Sequence, residues 1–215
     1  MQCFGFVQKL YPGLSHLKPS FPALLPFLTH TKPLTSPSRF LLKTAAMPKE
    51  PTGDPKQHDA SKFSEKLVGS CLCGSITVTI NDNELFTKKR GHLCHCANCR
   101  KVAGSYVACN LLIEAEKVQI EDRDGTLKVY EDYETLSGNA VYRSFCGKDG
   151  NPVKSETALY PGKVVLKMGM FPRIPQPEAE GFGLHKHAWQ GEHDGIDTYE
   201  IKWAGPEKKL MSKNS

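Results

Sequence analysis

Five of the chain's eight cysteines fall into two tight clusters, Cys71-Leu72-Cys73 and Cys94-His95-Cys96-Ala97-Asn98-Cys99. A sixth, Cys146, lies in Phe145-Cys146-Gly147-Lys148-Asp149-Gly150, a knuckle-like segment with aspartate where a second cysteine would complete the pair. Thiolates this close together suit a soft metal ion, and zinc is the default choice. The spacing offers two sites. Cys71, Cys73, Cys146 and Asp149 supply a nearly closed set, because zinc accepts a carboxylate oxygen in place of a fourth sulfur. If Asp149 does not ligate, that site binds weakly, recruits a water or holds no metal.

Cys94, Cys96 and Cys99 form a three-thiolate set on one short loop. The fourth position is left to water, substrate or a side chain from elsewhere, as in catalytic zinc sites. Three thiolates outweigh the charge of the ion and weaken its Lewis acidity toward water. Such a centre suits holding and deprotonating an incoming thiol, since the thiolate is the nucleophile in sulfur chemistry. His92 and His95 flank the cluster, and either one as a ligand would close it. Strand-like alternation through Cys94-His95-Cys96 turns His95 away from its neighbours' metal. Cys109, in mid-strand, reads as an apolar cysteine, and Cys3 lies in the N-terminal extension.

These residues must be positioned by short strands. Ser75–Ile80 alternates apolar and threonine side chains, the mark of a half-buried strand. Further strands are expected over Ser105–Ile113, Lys117–Glu121, Thr126–Glu131, Ala140–Cys146, Val164–Met170 and Thr198–Trp203. Asp124-Gly125 reads as a hairpin turn and Ser137-Gly138-Asn139 as another. One short helix is expected, Ala97–Ala103. Residues 171–197, rich in proline and glycine, read as a long irregular loop. The pattern is an all-β sandwich or barrel-like fold.

Residues 1–46 carry five basic side chains and no acid. They read either as a mitochondrial transit peptide or as a dispensable extension before a start at Met47 in a cytoplasmic protein. Residues 47–66 read as a disordered polar linker, 67–205 as the zinc-binding domain and 206–215 as a polar tail. With those five set aside from the 28 basic residues in all, 23 remain beyond residue 46, against 23 acidic ones. A formally neutral domain lacks the basic footprint of a nucleic-acid binder, so no such partner is expected. The apolar stretch Phe21–Leu28 is short and broken by prolines, far from the run of about twenty residues that spans a bilayer, so no membrane partner is expected either.

Three segments carry a family resemblance: Gly69–Gly74, Cys94–Lys101 followed by Gly104-Ser105, and Phe145–Pro152. In this order and spacing they resemble the glutathione-dependent formaldehyde-activating family, which includes the centromere protein V domain. The resemblance covers about Leu67 to Pro172, and at its widest reaches Trp203. It implies an all-β, tent-like fold stapled by zinc. The structural zinc would sit at Cys71, Cys73, Cys146 and the position of Asp149, where the family pattern has cysteine. The catalytic zinc would sit at Cys94, Cys96 and Cys99. The implied activity is that of a carbon–sulfur lyase, joining glutathione to formaldehyde as S-hydroxymethylglutathione.

Glutathione is an anionic tripeptide, so cationic anchors are expected, with Arg100, Lys101 and Arg143 as candidates. The expected partners are therefore a small-molecule thiol and a small carbonyl. Two other readings stand beside the enzyme: a non-catalytic zinc scaffold that carries glutathione or binds protein, with Phe171, Phe182 and Trp189 as aromatic anchors, and a redox thiol protein.

Overall fold

The computed structural model describes residues 54–63 and 65–212. The extension 1–46 and the apolar stretch Phe21–Leu28 lie outside the described residues. The described residues fold as eleven strands and one α-helix: β1 (Leu67–Ser70), β2 (Ile76–Ile80), β3 (His92–Cys94), α1 (Ala97–Ala103), β4 (Ala108–Glu114), β5 (Val118–Asp122), β6 (Leu127–Asp132), β7 (Val141–Cys146), β8 (Pro152–Thr157), β9 (Lys163–Lys167), β10 (Ala179–Gly181) and β11 (Asp197–Thr198). Within the segment read as a linker, Pro55–Gln57 and Ala60–Phe63 form 3-10 turns, and Phe63 packs against the core. No helix among the described residues is long and apolar enough to cross a membrane.

The strands make two sheets. One has three strands in the order β1-β2-β5; the other has eight, in the order β11-β10-β3-β4-β9-β8-β7-β6. Pleating sends successive side chains to opposite faces, and the large sheet uses its two faces differently. Leu111 and Ile113 of β4 and Val164 and Leu166 of β9 join Leu67, Ile76, Val78 and Ile80 of the small sheet in the apolar core. The intervening residues, Asn110 and Leu112 of β4 and Val165 and Lys167 of β9, line a cavity on the opposite face. The core thus fixes the register, because a one-residue slip would exchange the two sets. At Gly69 a Cβ would lie 2.6 Å from the Phe171 ring, so glycine is what allows β1 to close over that aromatic.

Three expectations change. The Asp124-Gly125 turn joins strands of different sheets and is no hairpin: β5 pairs with β2, whereas β6 pairs with β7. Asp122 causes the departure, its carboxylate accepting from the backbone N–H of Thr126 and of Leu127, both at 2.8 Å. The strand expected over Thr198–Trp203 shrinks to β11. Its partner β10 ends where Phe182 takes a left-handed conformation, φ 59°, and a ladder cannot continue through that geometry. The irregular stretch 171–197 contains β10, which pairs in parallel with β3 and carries the metal loop's strand.

Candidate metal centres

Cys71 and Cys73 lie in the loop between β1 and β2, Cys146 ends β7, and Asp149 sits in the turn to β8. The four side chains converge, their ligand atoms all within 4.8 Å of one another. The Cys71 and Cys73 sulfurs are 3.5 Å apart, and those of Cys73 and Cys146 are 3.7 Å apart. A tetrahedron with zinc–sulfur arms of about 2.3 Å has edges of about 3.8 Å, so the spacing fits zinc. A metal held here would tie the small sheet to the large one.

Asp149 is tied to the backbone through both carboxylate oxygens. Its Oδ2 accepts from the Cys73 backbone N–H at 2.7 Å and its Oδ1 from that of Asn151 at 2.8 Å. These two bonds hold the carboxyl well below the usual carboxylate range, so it is an anion, ready to ligate through its remaining lone pairs. The Asp149→Ala substitution removes both bonds and the fourth donor. We expect the melting temperature to fall by roughly 5 °C or more and one zinc per chain to be lost under mild chelation, whereas Asp149→Cys should hold that zinc more tightly. Unchanged zinc content and melting temperature in Asp149→Ala would exclude it as a ligand.

The second group is Cys94, Cys96 and Cys99, again with sulfurs within 4.8 Å of one another. Cys94 ends β3. Cys96 is the N-cap of α1, and its sulfur accepts from the Cys99 backbone N–H at 3.3 Å. Gly104, left-handed at φ 60°, closes the helix at its other end. Thiol hydrogen bonds from Cys94 and Cys96 draw Cys99 well below the usual thiol range, with the Lys167 and Arg143 charges adding to the effect. The same sharing pushes Cys94 well above it. Three thiolates this close cannot all ionise without a cation between them, so the donor set fits a soft divalent metal.

Neither histidine joins the set. His92 stacks on Trp203, ring centroids 5.0 Å apart, and burial lowers its pKa to about 4. His95 is fully buried behind the loop, its Nε2 3.5 Å from the carboxylate of Glu180, so the alternation of Cys94-His95-Cys96 indeed turns it from its neighbours. Cys109 packs against the core, apart from both clusters, and burial pushes its thiol up to about 11.

Beside this cluster opens a cavity of about 770 Å³. Cys94, Cys96 and Cys99 form part of its wall, the cavity face of the large sheet is its floor, and Phe182, Trp203 and Tyr160 supply aromatic surface. Arg143 lines it, but its guanidinium is already engaged by Asp132 at 2.6 Å, a carboxylate that Asn98 of α1 also grips at 2.9 Å. Arg100 and Lys101 are absent from the lining. Arg100 donates to His187 Nε2 at 2.6 Å and Lys101 is exposed. The residue that sequence reasoning missed is Lys167, buried in the floor. Its signal was a charge inside an apolar run, Val164-Val165-Leu166-Lys167-Met168. The three aromatics weighed as anchors form no common patch: Phe171 is in the core, Phe182 lines the cavity, and exposed Trp189 stacks on His187.

No curated protein gives a significant match to the chain. A crystal structure of a Rhodobacter sphaeroides protein aligns with a TM-score of 0.38 at 14% identity, covering 48% of this chain and 86% of that one. The family described as glutathione-dependent formaldehyde-activating enzyme matches residues 66–185, more than half of the chain and inclusive of both cysteine groups. The chain belongs to that family.

Proposed function

We propose that the protein is a zinc-dependent carbon–sulfur lyase that adds glutathione, or a related thiol, to formaldehyde or another small carbonyl. The observation that carries this reading is the placement of three convergent thiols in the wall of a cavity large enough for a tripeptide. Cys94, Cys96 and Cys99 would hold the ion. A zinc ion there supplies a soft centre that favours the deprotonated form of a thiol.

The chain's own residues do the rest. The Cys96 cap and the Asn98–Asp132–Arg143 chain of contacts fix α1, and with it the cluster, against the sheet. The aromatic walls displace water, which strengthens the electrostatics of the floor. In the addition the thiol sulfur bonds to the carbonyl carbon, the C=O π bond breaks, and the proton lost by the thiol ends on the former carbonyl oxygen. Orienting two reactants in one cavity removes much of the entropic barrier.

Glutathione and formaldehyde also combine without protein, so the test is the excess rate over buffer. Zinc-loaded protein should form the adduct measurably faster than buffer, and Cys96→Ser should abolish the excess. No excess with protein shown to hold its metal would end the reading.

A further inference from the structure

Three cationic side chains line the cavity beside the cysteine cluster: Arg143, Lys167 and Lys202. Arg143 is paired with Asp132, and Lys202 with Glu207. Lys167 has no carboxylate partner among the described residues. It is 6% exposed, and its one hydrogen bond among the described residues goes to Asn110 Oδ1 at 2.8 Å. An ammonium carries three N–H donors, so two are left. The charge it lends the Cys99 thiolate spends neither of these donors, and a buried cation is normally hydrogen-bonded as well as paired.

A second group points the same way. Ser155, 4% exposed, lines the same floor and its hydroxyl has no hydrogen-bond partner among the described residues. It stands opposite Val165 in the β8–β9 pairing, two residues from Lys167 on the same face. In the other direction Lys167 stands opposite Asn110, and Asn110 opposite His92, two residues before Cys94. The unspent donors therefore lie along the floor that leads to the cysteine cluster. Donors with one net positive charge call for an acceptor-only monoanion, which is a carboxylate.

We propose that Lys167 and Ser155 form a carboxylate subsite on the cavity floor, so that one of the two reactants is an organic acid seated there. This rests on the thiol-addition reading of the same cavity. The carboxylate has two sources: the thiol itself, as in a glutathione-like peptide, or the carbonyl partner, as in a 2-oxo acid.

Calorimetric binding to the zinc-loaded full chain tests it. One arm compares glutathione with its diethyl ester. The other compares glyoxylate with formaldehyde, in the presence of the neutral thiol N-acetylcysteamine. In the arm that matches the source, wild type should bind the acid about ten- to a hundredfold more tightly than the neutral compound, the range of one charged hydrogen-bonded contact. Lys167→Met should erase that preference and leave the neutral probes unchanged, and Lys167→Arg should keep most of it. Zinc content and circular dichroism verify that each variant is folded and loaded. Absence of an acid preference in both arms of the wild type overturns the proposal, as does a Lys167→Met variant that keeps the preference or weakens acid and neutral probes alike. Adduct formation is not the readout. An inert protein with the acid preference retains the subsite and loses the lyase reading, and an active one without it does the reverse.

Discussion

Replacing Cys146 by serine is expected to unfold the domain, whereas Cys99→Ser should leave it folded with one metal fewer. The contrast comes from where the two clusters sit. Cys146 is fully buried in the apolar core, and its site joins the β1–β2 loop to the end of β7. In small zinc modules the ion contributes roughly 10 kcal/mol or more of folding energy, comparable with the whole stability of an ordinary domain. Losing one ligand there also leaves buried sulfurs without a cation. Cys99 lies at the cavity edge on a helix that has its own caps and its own tie to the sheet through Asn98 and Asp132. Thermal unfolding with zinc counted per chain checks this. Cys146→Ser should lose at least about 15 °C of melting temperature or accumulate as insoluble protein. Cys99→Ser should melt within about 5 °C of wild type. Equal losses in the two variants would remove the division into a structural and a functional site.

The parts of this molecule that were legible in its sequence are those with short-range signals. Alternation gave β2 and most of β4 to β7. The spacing of cysteines along the chain gave the Cys94, Cys96 and Cys99 group and the Cys71–Cys73 pair, since two thiols two residues apart lie on one loop whatever the fold; Cys146 and Asp149 were picked out by their knuckle-like segment. What was illegible depended on pairing between distant segments. β3 and β10 have three residues each and are strands only because they pair with each other, β3 also with β4 and β10 with β11. β8 begins at Pro152, a residue that weakens any strand reading. Lys167 lay inside an expected strand, but the face it occupies is set by its contact with Asn110, 57 residues away. Arg143 was found for its charge, and only the fold shows that Asp132 already spends that charge. Arg100 and Lys101 were chosen because they adjoin the cluster in sequence, yet α1 carries both away from the cavity lining.

Glu180 carries the last expected effect, because one buried carboxylate organises the back of the cysteine loop. It is fully buried. Thr198 donates to it at 2.8 Å and Lys186 at 3.0 Å, His193 contacts it closely, and His95 Nε2 lies 3.5 Å away. Burial by itself would raise its pKa, but His95, Lys186 and Thr198 outweigh burial and hold the carboxyl well below the usual range. A carboxyl depressed in the folded state contributes stability that is fully present above its unfolded value of 4.5 and is lost as pH falls below it. Removing one partner of such a set costs about 3–5 kcal/mol, because the others stay buried without it. Glu180→Gln should therefore lower the melting temperature by roughly 10 °C at pH 7, with the gap to wild type shrinking below pH 4.5. The damage should also reach the metal. His95 sits between two of the proposed ligands, and its backbone N–H donates to Gly181 at 3.1 Å, directly beside Glu180. Zinc transfer to a chromogenic chelator should accelerate for the Cys94, Cys96 and Cys99 site and keep its wild-type rate for the other. A pH-independent gap, or equal acceleration at both sites, would show that Glu180 acts on the fold at large and not on this loop.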